Sequence, residues 1–155
     1  MLNSPVKVGD KAPDFTLKDQ NKNEFRLYAH TGRRILLSFH PLAWTGVCAK
    51  QMKALDRNQD TFAHLNTFAV GLSIDSVPCK YSWAKELDIT RTSLLSDFWP
   101  HGGVAESLGL FRQKEGFSER ANIILSPDMV VEWIKIYDIP QLPDLDEVLQ
   151  NLKRG

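Results

Sequence analysis

The 155-residue chain has little of what marks several large functional classes. It carries only two cysteines, Cys48 and Cys79, too few for a disulfide-stapled scaffold. Neither sign of charge is in excess, since 19 basic residues balance 19 acidic ones, so no broad electropositive face for nucleic acid or an anionic membrane is expected. No apolar run approaches the ~20 residues of a membrane span. Residues 1–10, with Pro5, Lys7, Gly9 and Asp10, hold no apolar stretch of signal-peptide length. A cytoplasmic location is therefore expected, where a pair of cysteines is more often catalytic, metal-binding or inert than permanently bridged. Internal repeats, low-complexity tracts and linker-like composition are also missing. The length suits one domain, spanning residues 1–155, with a core large enough to need no covalent staple.

What is present alternates between strand and helix patterns. Asp14-Phe15-Thr16-Leu17-Lys18 and Glu24-Phe25-Arg26-Leu27 alternate polar with apolar residues around the turn-forming Asp19-Gln20-Asn21-Lys22-Asn23, which predicts an N-terminal β-hairpin. Residues 34–39 and 67–74 are short apolar runs suited to strands buried on both faces. Between them, Met52, Leu55, Phe62 and Leu65 fall at helical spacing over residues 50–65, and a further helical segment is expected over 81–87, after Pro78. A strand at 93–95, a short helix at 101–108 and strands at 121–125 and 129–136 follow. The last two should pair antiparallel across Ser126-Pro127-Asp128. Leu145, Val148, Leu149 and Leu152 close the chain at helical spacing. This order predicts an α/β fold, a mixed central sheet with helices on both faces, and it resembles a thioredoxin-like topology.

The most informative stretch is Phe39-His40-Pro41-Leu42-Ala43-Trp44-Thr45-Gly46-Val47-Cys48-Ala49-Lys50-Gln51, which joins a buried strand to a helix. It lies at the carboxyl end of a strand, where open α/β sheets collect ligands. A cysteine in the first turn of a helix meets unsatisfied N–H groups and the positive end of the helix dipole, and both favour thiolate over thiol. Thr45 can turn a hydroxyl toward the sulfur, and Pro41, with no N–H and a fixed φ, can form a rigid dry wall beside it. Each residue also has a plainer use: Thr45 as a helix cap, Pro41 as a strand terminator, Cys48 as core packing.

Pro41-x-x-x-Thr45-x-x-Cys48 after an apolar strand resembles the peroxidatic motif of the peroxiredoxins, thioredoxin-fold thiol peroxidases. The likeness runs almost end to end. Val8-Gly9-Asp10-Lys11-Ala12-Pro13-Asp14-Phe15 is similar to the family's opening, Gly71-Leu72-Ser73-Ile74-Asp75-Ser76 to the strand after its active-site helix, and Leu94-Leu95-Ser96-Asp97 to its next landmark. Arg120-Ala121 stands where the family keeps an active-site arginine. The layout is nearest the short peroxiredoxins that lack a C-terminal arm with a second cysteine. The resemblance implies that Cys48 attacks a peroxide and becomes a sulfenic acid. It further implies that Arg120 supplies a permanent charge and a fork of donors, that Thr45 and the Cys48 N–H add donors, and that no metal or organic cofactor is needed. A thioredoxin-like or other thiol would be the reductant, and a homodimer or larger assembly is expected. Ala49 and Gln51 depart from the residues many members carry there, which leaves subfamily and preferred peroxide open.

Other chemistries fit less well. The four histidines suggest a Cys/His metal site or a Cys48–His40 hydrolase pair, yet neither C-x-x-C nor H-x-x-x-H spacing is present, and no orienting Asn or Asp stands out for the pair. A thioredoxin-like disulfide reductase needs C-x-x-C, whereas Cys48-Ala49-Lys50-Gln51 lacks the second sulfur. A non-catalytic redox sensor on the same fold remains open. Cys79 falls near a helix start beside Lys80. Some peroxiredoxins place a resolving cysteine in this following helix, and a low-pKa thiol there would attack a sulfenic acid readily. Cys79 as a packing residue remains the alternative.

Overall fold

Alternation along the third strand sets the layering. The computed structural model describes residues 4–154. Its sheet strands are β1 (Thr16–Lys18), β2 (Glu24–Arg26), β3 (Arg34–Phe39), β4 (Thr67–Ser73), β5 (Ser93–Ser96), β8 (Arg120–Leu125) and β9 (Val131–Tyr137), in the order β2-β1-β5-β4-β3-β8-β9. β6 (Phe111–Arg112) and β7 (Phe117–Ser118) form a separate small hairpin. β3 runs parallel to β4 and β4 to β5, while β8 is antiparallel to both β3 and β9. The sheet is mixed, and the expected hairpins β1–β2 and β8–β9 are in place.

On β3, Ile35, Leu37 and Phe39 enter one core with Val70 and Leu72 of β4 and with Val104 and Ala105 of helix α4 (Gly103–Ser107). Leu36 points into the other core. That second core is covered by α1 (Gly46–Arg57), α2 (Gln59–His64), α3 (Val77–Leu87) and α5 (Leu145–Arg154), through Met52, Phe62, Trp83 and Leu152. Each face of the central strands thus buries aliphatic side chains, the strongest contribution to folding, at roughly 25 cal/mol per Å² of apolar surface. α1 lies hard against the sheet because β4 offers Gly71 there; a Cβ at that position would collide with Met52 Sδ. No described helix is long and apolar enough to cross a membrane.

Two helices start or stop away from the sequence expectation, and one hairpin lies outside it. The helix predicted over 50–65 begins at Gly46 and breaks at Asn58, whose side-chain amide donates to the Ala54 carbonyl at 2.8 Å. Such back-bonding competes with the helical ladder. The helix predicted over 81–87 starts at Val77, because Ser76 caps it and Pro78 stands in the first turn, where proline's missing N–H is harmless. The β6–β7 hairpin had no prediction; Gly116, at φ 79°, makes its turn.

Candidate active site

The loop from β3 to α1 is held from two sides. The Ala43 N–H donates to Asp75 Oδ2 at 2.8 Å, which ties the loop to the chain leaving β4. Trp44 adopts a left-handed conformation, φ 68°, a state that costs a bulky residue about 1–2 kcal/mol and must be enforced by its surroundings. Thr45 is extended and occupies the cap position of α1, yet its side chain caps no helix N–H. Its hydroxyl donates instead to the Leu42 carbonyl at 2.7 Å. The N–H groups of Gly46, Val47 and Cys48 belong to the first turn and have no intrahelical acceptor.

Cys48, the third residue of α1, is fully buried. Arg120, at the start of β8 and also buried, aims Nη1 at its sulfur over 3.3 Å. The same nitrogen donates to Gln51 Oε1 at 2.8 Å, and Nε donates to the Ile139 carbonyl at 2.8 Å. Gln51 is itself held, its amide donating to Ser38 Oγ at 2.8 Å and to the Phe39 carbonyl at 3.1 Å. The guanidinium plane is therefore fixed from three directions. Beside Arg120 and the first turn of α1 opens a cleft of about 290 Å³ with Pro41, Thr45, Phe117, Arg120, Ile139 and Pro140 in its lining, and the fully buried Cys48 is reached from it through Arg120. Phe117 comes from the unpredicted β6–β7 hairpin. An apolar rim around one fixed cation and a helix start suits a small polar molecule that gains charge as it reacts.

Residues 8–134 match the model of the AhpC/TSA family. The chain belongs to that family. Alkyl hydroperoxide reductase E of Mycobacterium tuberculosis (strain ATCC 25618 / H37Rv) is 33% identical over 132 residues, covering 84% of this chain and 86% of the relative. Among solved structures, the reduced 2-Cys peroxiredoxin of Plasmodium vivax superposes with a TM-score of 0.86 at 25% identity, over 96% of this chain and 81% of that one. Peroxidoxin BcpB of Mycobacterium tuberculosis superposes with a TM-score of 0.83 at 26% identity, over 96% and 97%. These peroxiredoxin neighbours share the thioredoxin-like α/β fold expected from the order of elements.

In this AhpC/TSA chain Pro41, Thr45 and Arg120 line one cleft and Arg120 reaches the buried Cys48 sulfur, whereas Cys79 lies elsewhere in the same core layer. It is half-buried in the first turn of α3, packed against the cluster that contains Cys48, and both thiols are free. Its environment corrects one expectation. Burial first, and then the negative charge of Asp75, push the Cys79 thiol above the ordinary cysteine value rather than below it. The helix start and Lys80 do not outweigh these effects. The Trp44 indole and the Asp75 carboxylate both face the Cys79 sulfur, the latter at 3.8 Å.

Sequence reasoning did not find Gln51 as the clamp on Arg120, nor the buried pair Lys80 and His40. Period-two alternation puts Leu36, Ser38 and His40 on the face that α1 and α3 cover, a signal that was available for His40. His40 has no carboxylate partner for hydrolase chemistry; its Nε2 lies 3.5 Å from Lys80 Nζ. Among the described residues no cluster of His, Cys, Asp and Glu could hold a metal ion.

Lys80 is fully buried, and burial lowers its pKa from 10.5 to about 8. Below about pH 8 the folded protein carries a buried ammonium whose cost, from that difference, is about 3 kcal/mol. Between about 8 and 10.5 the unfolded chain holds the extra proton, so stability from this residue rises with pH through that window. Lys80→Met should accordingly be about 3 kcal/mol more stable than the parent at pH 7. The gap should close toward pH 10. Urea unfolding at a series of pH values checks this, and a methionine variant less stable at pH 7 would contradict it.

Proposed function

We propose that the chain is a thiol peroxidase in which Cys48 attacks hydrogen peroxide or an organic hydroperoxide. The observation that carries the reading is the 3.3 Å approach of Arg120 Nη1, whose side chain lines a small cleft, to Cys48 Sγ in the first turn of α1. The thiolate displaces water or an alcohol from the peroxide's near oxygen, and the sulfur becomes a sulfenic acid. Arg120 holds the peroxide oxygens in line, the α1 N–H groups meet charge as it moves onto the leaving oxygen, and the Thr45 hydroxyl joins them once it turns away from the Leu42 carbonyl. Pro41 and Phe117 keep the cleft dry. Mixing the reduced protein with hydrogen peroxide in a stopped-flow fluorimeter tests this. Rapid second-order tryptophan quenching supports a peroxidase, and oxidation no faster than that of a free thiol would leave only a redox sensor.

Cys79 is the resolving thiol in this reading, supported by its place in the core layer that holds Cys48. A disulfide needs Cα atoms within roughly 7 Å, so the first turn of α1 must unwind to deliver the buried sulfur. Because its thiol is pushed up, Cys79 should attack faster as pH rises. One equivalent of peroxide is expected to remove two hydrogens from the protein mass and link the Cys48 and Cys79 peptides. A lasting Cys48 sulfenic acid, with Cys79 still open to alkylation, would make the enzyme depend on an external thiol from the start. A thioredoxin-like dithiol would reopen the disulfide in a reducing, cytoplasmic compartment. The exposed Phe98 and Trp99 support assembly as a homodimer or larger, which sedimentation at micromolar concentration checks.

A further inference from the structure

Two buried ionisable groups beside the nucleophile take no part in the steps above. His40, one residue past β3, and Lys80, in the first turn of α3, are both without exposed surface, and Lys80 Nζ lies 3.5 Å from His40 Nε2. Among the described residues Lys80 forms no salt bridge. The two carboxylates that face it are engaged elsewhere. Asp75 Oδ2 accepts from the Ala43 N–H at 2.8 Å and the Ser73 hydroxyl at 2.6 Å, and the Asp97 oxygens accept from the N–H groups of Val104 and Ala105. Asp75 precedes α3, Cys79 adjoins Lys80 on it, Asp97 follows β5, and Cys48 comes from α1.

Burial first, and then the positive charges of Lys80 and Arg120, hold the His40 pKa well below the usual histidine range. A neutral imidazole then accepts the Lys80 proton at Nε2, which leaves its Nδ1 unpartnered in the core. The imidazole aims the ammonium and holds it within the layer that contains Cys48. The negative charge of Cys48 helps to keep Lys80 protonated. Cys48 stands on the same buried face: Gln51, which donates to Ser38 two residues before His40, accepts from the Arg120 nitrogen that lies 3.3 Å from the Cys48 sulfur, so a fixed ammonium at this strand end favours negative charge there.

We propose that Lys80 is a positioning residue of the peroxide site: its buried ammonium, aimed by His40, is a second cation that joins Arg120 in holding Cys48 as thiolate without touching sulfur or peroxide. This rests on Cys48 being the nucleophile. It also accounts for a buried charge that otherwise only weakens the fold.

The test is the second-order rate of oxidation by hydrogen peroxide, followed in stopped flow across the pH range, for the parent and Lys80→Met. The acid limb of the pH–rate profile should move upward by about one pH unit, a loss of about tenfold at the foot of the limb, with the rates converging on the alkaline plateau. A purely structural role would lower the rate alike at every pH, and that result, or superimposable profiles, would overturn the proposal. Lys80→Gln, which keeps a donor for His40 but no charge, must show the same displacement. It serves as the reading if the methionine variant does not fold. Absence of rapid oxidation in the parent at any pH would sink the peroxidase reading instead.

Discussion

Cys48→Ser is expected to abolish peroxide consumption while the protein stays folded. The hydroxyl is nearly the size of the thiol and has Arg120 Nη1 as a ready donor, since that nitrogen already lies 3.3 Å from the sulfur. Burying it costs about 1–3 kcal/mol at most. It cannot supply an anion at neutral pH, so the step that breaks the O–O bond loses its nucleophile altogether. Circular dichroism with a peroxide-consumption assay separates the two effects. Activity that survives in the serine variant would move the nucleophile to Cys79, the other free thiol.

Arg120→Lys should slow oxidation on the order of 100-fold, the scale on which one fixed transition-state donor is lost. The charge would remain, but the guanidinium serves three acceptors at once: Cys48 Sγ, Gln51 Oε1 and the Ile139 carbonyl. An ammonium on a flexible stem cannot span them in one plane. It would settle on the Gln51 and Ile139 oxygens and leave the sulfur without a donor. Stopped-flow oxidation of the variant measures this. A rate equal to the parent's would confine Arg120 to a structural role.

Lys80 bears on both results through charge. Arg120 and Lys80 face His40 from different elements, β8 and α3, so removing either cation leaves the other to favour the thiolate. A double variant lacking both should therefore lose more at low pH than either change alone.

The amino-acid sequence by itself determined the α/β order, the mixed sheet and the location of Cys48 at a strand-to-helix junction. These follow from local rules: two-residue alternation in β1 and β2, continuous apolar runs in β3 and β4, and the spacing of Pro41, Thr45 and Cys48 on one short loop. Arg120 was legible only through its family position, because it lies 72 residues from Cys48 and no periodicity connects them. Tertiary structure decided the rest. What clamps Arg120 and that Phe117 closes the cleft both depend on segments distant in the chain. The Cys79 thiol shows the physical reason most clearly. Its helix start is a local feature that favours thiolate, but burial and the Asp75 carboxylate, set by packing, push the other way and win. Lys80 is the converse case: a lysine beside a helix start is ordinarily solvated, and only the layer of α1, α3 and β3 around it turned that side chain inward toward His40.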